Sequence, residues 1–138
     1  MYDYRPKILF KRTYFQKICN LIGYGVFIIG VIASIVSLAF LPESVPIHFN
    51  FVGEADGWGS KYFILLLPLI GFITTLGIES LENKPHMHNY PARINESNVE
   101  QFYKLSIRSI NLMKNVMLIV FGLLMFDIII TAKMGEPL

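Results

Sequence analysis

The residues best suited to chemistry crowd into one stretch, Leu41-Pro42-Glu43-Ser44-Val45-Pro46-Ile47-His48-Phe49-Asn50-Phe51-Val52-Gly53-Glu54-Ala55-Asp56-Gly57-Trp58-Gly59-Ser60-Lys61. Pro42 and Pro46 take the chain out of a preceding helix, because proline removes an amide donor and holds the residue before it extended. Side chains alternate along a strand, so Ile47, Phe49 and Phe51 would share one face and His48 and Asn50 the other. Gly53 and Asp56-Gly57 supply turns, and Trp58 suits an interfacial anchor. This is chemistry of recognition: His48, Asn50 and Asp56 offer an imidazole, an amide and a carboxylate, while Pro46, Gly53, Trp58 and Lys61 shape their frame. The competing reading is a structured cap whose polar groups satisfy one another.

Other candidates are thinner. His86-Met87-His88 places two imidazoles two residues apart with no third ligand nearby, whereas a closed zinc site takes four, so no metal is expected. Cys19 reads as an inert interfacial residue. No G-x-S-x-G, H-E-x-x-H, P-loop or Gly-rich dinucleotide pattern occurs. The expectation is a protein without enzymatic activity and without a cofactor.

What positions these groups follows from composition. Of 138 residues, 54% are hydrophobic and 16% charged, and the mean hydropathy is +0.51. Soluble domains carry about 25% charged residues. A chain this apolar is neither disordered nor, with one cysteine, a disulfide mini-protein. A net charge of +2 gives no reason to expect nucleic acid. An integral membrane protein remains. Residues 18–41 carry no charge and would rise about 36 Å as a helix, enough for a hydrocarbon core of about 30 Å. Residues 62–78 and 115–132 make the second and third spans, the last interrupted by Asp127. The alternative for the first span is a cleaved signal peptide, with Ser37-Leu38-Ala39 imitating the cleavage site, but its apolar run exceeds the usual length of such segments.

Ten of the twelve Lys and Arg residues fall before the first span or between the second and third. The positive-inside rule then places the N-terminus in the cytoplasm and the C-terminus outside, with loop 42–61 extracytoplasmic. Residues 1–17 read as a basic and aromatic segment at the cytoplasmic interface, where anionic lipid would attract it, followed by a single membrane domain over 18–138. In the cytoplasmic connection 79–114, Ser97-Asn98-Val99-Glu100 fits a capping box, so an amphipathic helix should start there and run into the third span for about 35 residues. Gly23, Gly30 and Ser37, with Ser34 nearby, form a small-residue stripe suited to close helix approach, in the same chain or in a partner. Pro68 interrupts the backbone ladder of the second span. Asp127 is an intramembrane acid, and such groups mark functional sites by default. Loop groups Lys61, His48 or Asn50 could meet it.

The string L-P-x-x-V-P-I-H-F-N-x-x-G-x-x-D-x-W-G-S-K, followed by Pro68, closely resembles the SdpI-type immunity-protein family, small bacterial membrane proteins. Asn89-Tyr90-Pro91, Ile94, Asn98 and Tyr103 look like a subgroup of short relatives with three or four spans. In the namesake the domain belongs to a longer protein that protects its producer from a secreted toxic peptide and sequesters a repressor at the membrane; this chain lacks its additional spans. The resemblance implies a plasma-membrane protein that meets a peptide or partner at the outer loop. The expected fold is all-α: three transmembrane helices, an ordered outer loop and a cytoplasmic extension of the third helix. Expected partners are the lipid bilayer, another membrane protein or further copies of the chain, and a peptide ligand. The rival reading is an accessory subunit of a larger membrane complex. Transport is disfavoured, because three helices enclose no pathway on their own.

Overall fold

The structure, a computed structural model, describes residues 4–134. Its elements are α1 (Tyr14–Ser37), β1 (Ser44–Phe49), β2 (Ala55–Ser60), a 3₁₀ turn (Lys61–Leu65) leading into α2 (Leu66–Glu82), a second 3₁₀ turn (Pro85–Met87) and α3 (Val99–Met134). Three helical stretches, Tyr14–Ser37, Lys61–Glu82 and Val99–Met134, are long and apolar enough to cross a membrane. The fold is therefore a three-helix membrane bundle, but not purely α. Loop 42–61 is an antiparallel hairpin in which Val45 faces Gly59 and Pro46 faces Trp58, with a register irregularity around His48. Its second strand, Ala55-Asp56-Gly57-Trp58-Gly59-Ser60, holds two glycines and reads as turns by local propensity; pairing with β1 supplies what propensity lacks.

The helix ends also differ from the charge-run estimate. α1 begins at Tyr14 because Thr13 caps it: Gln16 N donates to Thr13 Oγ1 at 3.3 Å and Thr13 N donates to Gln16 Oε1 at 2.8 Å, a reciprocal box. At the start of α3 the expected box at Ser97 and Glu100 is replaced by an Asx turn. Asn95 Oδ1 accepts from Ser97 N at 3.0 Å and Asn98 N at 3.2 Å, and Asn98 Oδ1 accepts from Asn95 N at 2.9 Å. The capping oxygen thus belongs to Asn95, two residues before Ser97, because an asparagine amide oxygen reaches the backbone amides two and three residues on. Pro68 does not break a helix. It lies in the first turn of α2, just where the 3₁₀ turn passes into the α-helix and an amide donor is not needed.

Lipid tails give no hydrophobic drive for helices to associate, so close packing must. Ile28, Ile29, Ile32 and Ile35 on α1 are exposed and face outward, while Gly23, Gly30, Ser34 and Ser37 are buried. α1 packs chiefly on α3. A methyl group added at Gly122 would lie 2.9 Å from the Val26 carbonyl oxygen, and one at Gly30 would lie 3.1 Å from Gly122 Cα, so both glycines are needed for this approach. The serine hydroxyls are satisfied within α1, Ser34 donating to Gly30 O at 2.9 Å and Ser37 to Ser34 O at 2.8 Å.

Three apolar clusters follow the bundle axis. Phe27, Leu118 and Met125 fill the middle. Leu41, Val45 and Ile64, with Ile128, Ile129 and Ala132 against them, seat the hairpin on the helix ends. At the opposite end Ile94, Val99 and Tyr103 receive Ile8 and Phe10. Residues preceding α1 are thus held by protein: Tyr4 N bonds Ile94 O at 3.1 Å, and Arg5 reaches His88 O at 2.7 Å while lying over the Tyr90 ring.

Candidate functional site

The hairpin turn is built by Asn50. Its Oδ1 accepts from Val52 N at 3.0 Å and Glu54 N at 2.9 Å, its Nδ2 donates to Glu54 Oε2 at 3.1 Å, and Gly53 takes the positive φ of 86° that closes a three-residue loop. Asn50 is therefore a turn residue and does not share a presented face with His48. Phe51 leaves the expected apolar face as well, standing fully exposed at the tip. His48 Nδ1 instead pairs with Asp56 Oδ1 across the hairpin, both side chains well exposed. Gly57 makes room for the imidazole, since a methyl group there would meet His48 Cβ at 2.9 Å. Lys61 ties the hairpin base, its Nζ 3.0 Å from Glu43 Oε1 and its amide donating to Glu43 O at 2.9 Å.

Beneath the hairpin is an apolar cavity of about 240 Å³, walled by Pro46, Ile47 and Phe49 of β1 and by Ile64, Leu67 and Ile128 of the helices. Ile47 and Trp58 are about half exposed above it. Asp127 is half-buried on α3, one residue before Ile128 of this seat. The loop groups expected to meet it have bonds of their own: Lys61 with Glu43, His48 with Asp56 and Asn50 with Glu54.

The other end of the bundle holds polar groups that, in the sequence alone, mark the boundaries of spans. Glu82 and Lys114, both fully buried, pair at 2.7 Å. Glu82 also accepts from Asn111 Nδ2 at 3.0 Å, and Asn20 Oδ1 receives Asn111 and Asn115, each at 2.8 Å. Glu79 takes Arg12 on one oxygen and the Tyr24 hydroxyl on the other. Two acids and two bases from three segments thus close a neutral quartet that joins the chain just before α1 to α2 and α3. The Glu79 carboxylate, hydrogen-bonded to the guanidinium, pushes Arg12 above even its ordinary high range and keeps it charged. A signal existed in the sequence: Asn111, Lys114, Asn115, Leu118, Gly122 and Met125 fall on one stripe of α3, and all are buried. His88 links the same end, its ring nitrogens 2.6 Å from Ser106 Oγ and 2.8 Å from Leu81 O. Among the described residues no cluster of three or more His, Cys, Asp or Glu side chains could hold a metal.

Residues 25–72 match the family model described as "Domain of unknown function (DUF1648)", a family found in small membrane proteins. The matched segment runs from α1 through the whole hairpin into α2 and stops before Glu79. No curated protein and no solved structure matches the chain.

Proposed function

We propose that this is a plasma-membrane binding protein of the immunity or signal-transducing type, with the hairpin outside the cell, that recognises an extended apolar peptide there. The observation that carries the reading is the apolar cavity between β1 and the helix ends, lined on the hairpin side by Pro46, Ile47 and Phe49. An apolar side chain entering it would leave bulk water, at about 25 cal/mol per Å² buried, while the His48–Asp56 pair, exposed elsewhere on the same hairpin, is open to the peptide's polar groups. The resemblance of residues 41–61 to the SdpI-type family, whose namesake defends against a secreted peptide, supports the same choice. The excess of basic residues at the opposite end supports the orientation.

The test is a photoreactive phenylalanine analogue in place of Phe49 in growing cells, with mass spectrometry of the adducts. A peptide adduct that disappears when Ile64→Trp fills the cavity is the expected result. Adducts to lipid alone would sink the proposal, and a stoichiometric membrane-protein adduct would make the chain an accessory subunit instead. Glu54→Cys labelled by an impermeant thiol reagent in intact cells, with Glu96→Cys unlabelled, checks the orientation.

A further inference from the structure

A second cavity, about 340 Å³, lies at the end of the bundle away from the hairpin, between the segment that enters α1 and the first turns of α3. Its walls bring together Lys11, Gln16, Lys104 and Arg108. Among the described residues Lys11 and Arg108 have no carboxylate partner, and Arg108 lies 4.6 Å over the Phe15 ring, which holds its guanidinium at the rim. Lys104 pairs with Glu100 at the surface, which takes one of its three ammonium protons.

The decisive group is Gln16. Only 3% of it is exposed, and its Nε2 has no hydrogen-bond partner. The amide cannot be turned round to hide this, because its Oε1 already accepts from Thr13 N at 2.8 Å. A buried amide donor without a partner is costly, and Gln16 lines this cavity together with Lys11, Lys104 and Arg108, among the apolar side chains of Phe10, Leu105 and Ile107. The group that satisfies all of them is an anion with several acceptor oxygens.

Depth narrows the choice. α1 has 24 residues and rises about 36 Å, some 6 Å more than the hydrocarbon core, so its first turn reaches the headgroup layer. We infer that this cavity is a binding site for the phosphate group of an anionic phospholipid, gripped by Arg108 and Lys11 at its rim and by the Gln16 amide within. The guanidinium fork matches two phosphate oxygens, and the amide donates to a third. The site is independent of the hairpin and would stand whatever binds there.

The full chain in nanodiscs of equimolar phosphatidylglycerol and phosphatidylcholine, with native mass spectrometry of retained lipid, tests this. Phosphatidylglycerol should be retained about five- to tenfold over phosphatidylcholine, and Arg108→Gln should abolish most of that preference. Gln16→Glu is the sharper variant. A glutamate keeps the acceptor that caps α1 but replaces the amide donor with a carboxylate that competes for the same cations, so the preference should vanish while cooperative thermal unfolding in pure phosphatidylcholine is retained. Unchanged preference in both variants overturns the site. Inorganic phosphate, added to phosphatidylcholine nanodiscs, distinguishes the source: no stabilisation supports the lipid headgroup, and stabilisation equal to that by phosphatidylglycerol overturns it in favour of a free phosphate.

Discussion

The two ends of the bundle each contain a cross-element pair of an acidic and a basic side chain, and they set it in opposite surroundings. At the hairpin His48 and Asp56 pair with side chains 70% and 44% exposed, whereas at the far end Lys114 and Glu82 pair at 0% and 1%. An exposed pair trades water for a partner at little net gain, so it contributes about 0–1 kcal/mol. A buried one has given up hydration altogether, and each charge then depends on the other. The family match covers the first end and stops short of the second. The family match therefore takes in the exposed pair and leaves out the buried one, the division that a recognition role for the hairpin, as proposed, and a scaffolding role for the quartet would require.

The contrast can be broken most directly at Lys114. Lys114→Met should lower stability by about 3–5 kcal/mol by leaving Glu82 buried without its base, read as thermal unfolding in nanodiscs. The double variant Glu82→Leu, Lys114→Met should recover most of that loss, because Glu79 and Arg12 still pair. If the double variant is as unstable as the single, the buried pair is not the cause and the contrast fails.

The middle of the bundle, which joins the two ends, gives a smaller effect. Gly122→Val should cost about 1–3 kcal/mol by forcing α3 away from Val26. Gly25→Val serves as the control, since nothing lies within 4 Å of a methyl group there. Equal losses in the two variants would mean that close approach does not hold α1 and α3 together.

The smallest effect on stability is expected at the hairpin. Asp56→Asn should shift unfolding by less than about 1 kcal/mol, and under the proposed function it should still reduce the peptide adduct at Phe49. A large loss of stability with adduct formation unchanged would reverse the roles assigned to the two ends.

How much of this was legible in advance depends on the range of the interaction. Three spans could be read from run length and composition, because a helix in lipid satisfies its own backbone and needs only enough apolar residues in sequence. The long α3 was legible from its amphipathic periodicity, which continues from Val99 into the third span. The hairpin was half legible: Pro42, Pro46 and Gly53 marked where the chain turns, but β2 has weak strand character of its own. Its glycines are accommodated only because β1 lies alongside, and Asn50 became a turn residue once Glu54 closed the loop.

The quartet was legible only as the polar part of one stripe on α3, and the cavity at Gln16 only as a basic segment before α1. Glu79, Glu82 and Lys114 read as the edges of spans because a charge in lipid is costly when considered alone. Its cost is offset by partners distant in sequence, such as Glu82 for Lys114, 32 residues apart, or Arg12 for Glu79, 67 residues apart. Which helix faces meet determines those partners, and the rotation of each helix about its axis follows from contacts such as Gly30 on Gly122 rather than from hydropathy. Local sequence states which segments enter the membrane; the packing of those segments states which charges can go in with them.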